Sequence, residues 1–238
     1  MDRQERSTRT RAHDSPLGAL DVGFEHRSRT SGFTLVEVVI VAALAMVVMG
    51  SVVAVMNSSM RACQVGSTSA HLEALANRTL DHIAERLQAS SRAAITPSLA
   101  APFSSRQIDF QRATSFAGGV VTWSATERIT FQYRPGEIDD GIDNGGNGIV
   151  DDGQVVWIQS LGLPGQTSSV LADGVTEYLE GETLNNLDDN RNGLIDEAGL
   201  CFTVDASSVV VHLTLAARSA GGILVTKTVE KRVYFRNP

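Results

Sequence analysis

From Phe33 to Met56 the chain runs through 24 residues that carry a single charge, Glu37. A helix needs roughly 20 mainly apolar residues to cross the ~30 Å hydrocarbon of a bilayer, so this run is long enough to span one. It is too long for the apolar stretch of an ordinary secretory signal, which holds about 7–15 residues ahead of a small-residue cleavage site. Asn57-Ser58-Ser59-Met60-Arg61, which follows, matches such a site poorly. Residues 1–29 are polar, rich in Arg, Ser and Thr, and show no apolar periodicity, so they are not expected to fold alone. His26-Arg27-Ser28-Arg29 stands just before the run, and positive charge there keeps that end on the cytoplasmic side. The pattern predicts a single-pass anchor with most of the protein outside. Glu37 conflicts with a plain anchor. A carboxylate at the centre of a membrane helix costs about 2.5–3.5 kcal/mol. One turn from the start the cost is lower, but the charge still calls for a partner or for the head groups.

Ser31-Gly32-Phe33-Thr34-Leu35-Val36-Glu37 and the apolar run behind it resemble the processing motif of type IV prepilins. It combines a Gly before the cut, a Phe after it, and a Glu at the fifth position of the product. The resemblance implies a leader of residues 1–32, cleaved between Gly32 and Phe33 by a prepilin peptidase, and N-methylation of Phe33. It also implies that Glu37 pairs with the α-amine of a neighbouring subunit's Phe33. Such a pairing is physically reasonable, because two opposite charges attract strongly in low dielectric while either alone is penalised. One departure concerns proline. Main filament subunits of the family carry a helix-kinking Pro some twenty residues after the cut, and none occurs between Phe33 and Ala93. That favours a minor subunit.

Beyond the assembly helix at 33–56, residues 57–96 are expected to continue it. Leu72, Leu75, Ala76, Leu80, Ile83, Ala84 and Leu87 recur at helical spacing, with Glu73, Arg78, Asp81, Glu85 and Arg86 on the other face. Gly66 is a candidate break, and Pro97 and Pro102 a stop. From residue 97 to 238 the period changes to two. Strands are predicted at 106–111, 120–124, 127–133, 154–160, 175–180, 200–204, 208–216 and 223–235, the last two joined as a hairpin through Ser219-Ala220-Gly221-Gly222. The fold class is therefore α+β. A long N-terminal helix on an antiparallel sheet is the pilin architecture that the resemblance implies, with an element order most like the J-type minor pseudopilin of type II secretion.

Two acidic segments interrupt the strands, at 139–153 and 185–198. Asp143-Asn144-Gly145-Gly146-Asn147-Gly148-Ile149-Val150-Asp151-Asp152 repeats as Asp188-Asp189-Asn190-Arg191-Asn192-Gly193-Leu194-Ile195-Asp196-Glu197. Both resemble the front of an EF-hand or thrombospondin-type calcium loop. Oxygens at alternate positions can converge on one ion while Gly lets the chain turn sharply. The expected ligands of the second are Asp188, Asn190, Asn192, the Leu194 carbonyl, and Asp196 or Glu197. Those of the first are Asp143, Asn147, the Ile149 carbonyl, and Asp151 or Asp152. Gly145 offers no side chain at the third position there, and Asp139 or Asp140 could fill the gap. The Glu that an EF-hand places twelfth is missing, since Gln154 and Gly199 stand there. A structural Ca2+ site of extracellular type, with a dissociation constant on the order of 10⁻⁴–10⁻³ M, is expected rather than a sensor. Asx turns that need no ion are the alternative.

The net charge of −7 divides as +1 for residues 1–32 and −8 for the rest. An acidic globule argues against a nucleic-acid surface, so no nucleic acid is expected as a partner. The two cysteines, Cys63 and Cys201, exclude a disulfide-dense scaffold and permit one bridge or two buried thiols. His71, His82 and His212 are isolated, and no G-x-S-x-G, P-loop or H-E-x-x-H occurs, so no enzyme is expected. The reading is a minor pseudopilin in a bacterial inner membrane, its C-terminal domain periplasmic, with other minor and major pseudopilins and the prepilin peptidase as partners. It would help initiate or cap a short filament that drives protein export. The rivals are a minor type IV pilin for surface fibres, adhesion or DNA uptake, and a membrane-tethered calcium-dependent binding module.

Overall fold

The computed structural model describes residues 32–236. Apart from Gly32, the expected leader 1–32 lies outside the described residues. The chain divides into a unit ending at Gly50 and a unit beginning at Ser51. One helix, α1 (Leu35–Gln88), runs through the boundary. It starts where the sequence supplies a cap. Thr34 Oγ1 accepts the Glu37 N–H at 3.2 Å, and the Val38 N–H reaches the Thr34 carbonyl at 3.1 Å. Thr34 and Glu37 stand three apart, as in a capping box, and an acid in the first turn meets the positive end of the helix dipole. Gly66 does not break the helix. A helical Gly costs about 1 kcal/mol relative to Ala, too little to interrupt a helix held by good formers on both sides. The stop comes at Gln88, eight residues before 96, with Ala89-Ser90-Ser91 and a short 3₁₀ turn, Arg92–Ala94, leading to Pro97.

In the second unit the buried stripe of α1 is Leu72, Ala76, Thr79, Leu80, Ile83, Ala84 and Leu87. It packs on an antiparallel sheet of seven strands: β1 (Gln107–Phe110), β4 (Glu127–Tyr133), β5 (Gly153–Gln159), β6 (Thr167–Val175), β7 (Leu200–Val204), β8 (Ser208–Arg218) and β9 (Leu224–Tyr234). The order is β1-β4-β5-β6-β8-β7, with β9 on β8. One edge of β8 is shared: β7 pairs along its first half and β6 meets it at Val175 and Leu215. The other edge takes β9 in full register, from Ser208 and Tyr234 to Arg218 and Leu224, which is the predicted hairpin. A separate pair, β2 (Ala113–Ala117) and β3 (Val120–Trp123), forms a small two-stranded sheet. The helix stripe meets Ile108, Phe110, Ile129, Val155, Phe202 and Leu213 in one core. The architecture is α+β and pilin-like, a long N-terminal helix on an antiparallel sheet.

The strands differ from expectation in two places. Residues 175–180 do not form one; the strand is Thr167–Val175, and the chain beyond it turns toward the second acidic segment, with Tyr178 bridging to Ala198. β2 was not expected. Trp157 packs half-buried in β5, with the Arg86 guanidinium 3.8 Å over its ring and its Nε1 donating to Glu127 at 2.8 Å. Cys63 is exposed on α1 and Cys201 is buried in β7, and both thiols are free, so the permitted bridge does not form. Burial pushes the Cys201 thiol up to about 12 and leaves it an inert small hydrophobe.

Gly199, the residue at the twelfth place of the second acidic segment, sits against the Thr176 carbonyl, where a Cβ would collide with backbone. That explains why no larger residue stands there. Gly199→Ala is expected to cost about 1–3 kcal/mol through overpacking, read as a lowered thermal midpoint. An unchanged midpoint would mean that the backbone at Gly199 and Thr176 can part freely.

Candidate functional site

Two features of the sequence carry chemistry. The first is the N-terminal segment of α1. Its apolar stretch is not buried against the rest of the described chain. The helix is long and apolar enough to cross a membrane. Gly32 and Phe33 precede its first turn, and Glu37 lies in that turn. Phe33 is 78% exposed, and Glu37 shares one side of the helix with Phe33, Val41 and Ala45.

The second feature is the pair of acidic segments, and the resemblance between them extends further than the ten residues first aligned. Glu137, Asp143, Asn147 and Asp152 each stand 45 residues before Glu182, Asp188, Asn192 and Glu197. The backbone repeats at the same offset. Positive φ occurs at Gly136 and Gly181 (99° and 87°), Gly141 and Asn186 (74° and 63°), Gly146 and Arg191 (68° and 64°), Gly148 and Gly193 (84° and 89°), and Asp151 and Asp196 (48° and 51°). Arg191 and Asp196 take this conformation despite bearing a Cβ, which is uncommon outside glycine.

Hydrogen bonds follow the same plan in both. Asp143 accepts from Gly146 at 2.6 Å, Asn147 at 3.2 Å and Gly148 at 2.6 Å. Asp188 accepts from Asn192 at 3.1 Å and Gly193 at 2.9 Å. The side-chain oxygens of Asn147 and Asn192 accept from Ile149 and Leu194 at 2.8 and 2.9 Å, while their amides donate to Asp152 at 3.0 Å and Glu197 at 2.5 Å. Asn190 Oδ1 also accepts from Asn192 at 2.9 Å. Asp151 and Asp196 turn the other way. Asp151 accepts the Gly141 N–H at 2.9 Å, and Asp196 accepts those of Asn185 and Asn186 at 2.8 and 2.9 Å. The structure thus gathers Asp188, Asn190, Asn192 and Glu197 in the second segment, and Asp143, Asn147 and Asp152 in the first. It assigns Asp151 and Asp196 to closing the turn. Asp140 also serves a turn, accepting the Ile142 N–H at 3.0 Å.

Glu137 and Glu182 were not singled out from the sequence. Each is buried and reaches into its segment from six residues upstream. Glu137 accepts from the backbone of Gly145 and, at 3.3 Å, of Asn144; a Cβ at Gly145 would run into its carboxylate. Glu137 thus lies against the third position of the first segment, as Glu182 lies against that of the second. Glu182 accepts the Asn190 N–H at 2.8 Å. Burial, with Glu197 and Asp189 nearby, holds the Glu182 carboxyl above the usual carboxylate range. Burial does the same to Asp152. The dipeptides Gly136-Glu137 and Gly181-Glu182, at the common offset, were the signal available in the sequence. A further gathering of acids, Asp139, Asp151 and Glu177, brings one oxygen each within 4.8 Å of the others. In it, Asp151 accepts the backbone N–H groups of Asp140 and Gly141, and Arg106 lies 3.3 Å from Glu177.

Residues 27–53 match the family model described as the prokaryotic N-terminal methylation motif. The match includes Gly32, Phe33 and Glu37 and supports a type IV pilin-like protein that is processed by a prepilin peptidase and assembles with other pilin subunits. No curated protein and no solved structure matches the chain.

Proposed function

We propose that this chain is a structural minor pseudopilin of a type II secretion system. It sits in the inner membrane with its globule in the periplasm and helps initiate or cap a short filament. The observation that supports this most is the position of Glu37, inside the matched motif and in the first turn of an apolar, unburied helix. No basic residue occurs between Phe33 and Met60, and a second helix of the same kind, bearing a free α-amine at Phe33, supplies a partner for the acid. The uninterrupted course of α1, without a Pro kink, favours a minor subunit over a main one.

Loss of the protein is expected to stop export of a folded substrate through the secretin and to leave surface fibres and twitching unchanged. Intact export with lost fibres would give the role to a minor type IV pilin instead.

Calcium is proposed as a structural ion of the acidic segments. Asx bonds alone can fold such turns, but they leave buried carboxylate oxygens unsatisfied. A ligand that binds only the folded state must raise the melting temperature. Full-length protein in detergent is expected to melt several degrees higher in millimolar calcium than in EDTA, and an unchanged midpoint would remove calcium from the account.

A further inference from the structure

The two acidic segments share a backbone path, but basic groups surround only the first. Arg134 lies 3.5 Å from Asp152 Oδ2 and also pairs with Asp173. Arg218 crosses Gly148 so closely that a Cβ there would collide with its side chain, and it donates to the Gly148 carbonyl at 3.0 Å. Both oxygens of Glu137 accept backbone N–H groups. The first segment therefore has internal counter-charges: its one buried carboxylate oxygen without a hydrogen bond among the described residues, Asp152 Oδ2, faces the Arg134 guanidinium.

At the common offset of 45, the second segment has Leu179 where the first has Arg134, and nothing lies within 4 Å of a Cβ built on Gly193. Glu197 is fully buried and Glu182 is 6% exposed, and one oxygen of each, Oε2, has no hydrogen-bond partner among the described residues. The two carboxyl groups are close enough to hydrogen-bond one another. Two buried carboxylates side by side are costly unless a cation or a shared proton joins them. The other oxygen of each is held in place, Glu182 Oε1 by the Asn190 N–H and Glu197 Oε1 by the Asn192 amide, which leaves the two Oε2 atoms as a hard, all-oxygen set. Such a set, on a flexible loop, suits calcium better than magnesium, which demands near-ideal octahedral geometry.

We infer that the repeat is divided in role: Glu182 and Glu197 hold one calcium ion in the second segment, while Arg134 and Arg218 take the ion's place in the first. This rests on the calcium reading given above and adds to it a stoichiometry and a ligand, Glu182, from outside the loop motif. Glu182 and Glu197 supply the acidic ligation that an EF-hand draws from its twelfth position, which Gly199 cannot provide.

Equilibrium dialysis of the full-length protein in detergent against radioactive calcium tests it. One ion per chain is expected. Glu182→Gln and Glu197→Gln should each weaken binding roughly tenfold or more. Glu137→Gln and Asp152→Asn should leave both affinity and stoichiometry unchanged. In EDTA, Glu182→Gln should melt higher than the parent chain, because it removes one of two crowded carboxylates; a purely structural acid would lower the midpoint on removal. Two ions per chain, or loss of binding on changing Glu137 and not Glu182, would overturn the division. A parent chain that binds no calcium would overturn the underlying reading instead.

Discussion

Full-length protein carrying Glu37→Leu is expected to insert in the membrane and be trimmed at Gly32 as before, yet to drop out of complexes with its partner subunits. Insertion should not suffer, since Leu is favourable and a carboxylate unfavourable in a membrane helix. The start of α1 should also hold. The bond from the residue-37 N–H to Thr34 Oγ1 is made by backbone, and only the favourable charge at the helix start is lost, worth about 0.3–1 kcal/mol. Association is another matter. Removing one member of a buried ion pair leaves the other charge uncompensated and costs about 3–5 kcal/mol. That is a factor of roughly 10² to several 10³ in the association constant. Co-purification or site-directed cross-linking between neighbouring helices reads the effect. Full association of the Leu variant would favour a tethered module that works alone.

The largest expected loss of stability follows Phe202→Ala. Phe202 is 1% exposed at the centre of β7, where its backbone exchanges hydrogen bonds with Ser105 at 2.9 and 3.0 Å and pairs with Val211 of β8. Its ring fills the core between the sheet and the Leu72–Leu87 stripe of α1. Truncating a buried Phe to Ala costs about 3–5 kcal/mol, part lost transfer energy and part cavity. At roughly 2–4 °C per kcal/mol for a domain of this size, the midpoint should fall by about 10 °C. Phe116, 71% exposed in the small β2–β3 sheet, is the control, and its truncation should change stability by less than about 0.5 kcal/mol. Equal losses at both positions would contradict the placement of the core.

The fold was readable where burial imposes a period. The stripe from Leu72 to Leu87 faces the core as its spacing predicts, because a helix on a sheet must turn one side inward. β4 and β7 begin and end as predicted, and β8 extends two residues further. β6 escaped because its first four residues, Thr167 to Val170, are exposed, so no alternation marks them. β2 escaped for a related reason, since its small sheet buries almost nothing. Gly66 misled in the other direction, since one glycine does not outweigh the residues around it.

The acidic segments were visible as a repeat of Asp, Asn and Gly. Their difference was not. Arg134 is near the first segment in sequence, but Arg218 reaches it from the far end of β8, and only the fold shows that both serve one copy. Glu137 and Glu182 were within reach of sequence reading, six residues upstream of the aligned block. They were overlooked because an EF-hand-like pattern directs attention downstream of the first Asp.

The assembly account depends on a cut that exposes a new amine next to Glu37. Intact mass of the protein extracted from native membranes measures this directly. The account expects a chain that lacks residues 1–32 and begins at Phe33 with one added methyl group. A chain that still begins at Met1 would contradict it, because Glu37 would then have no neighbouring amine to pair with.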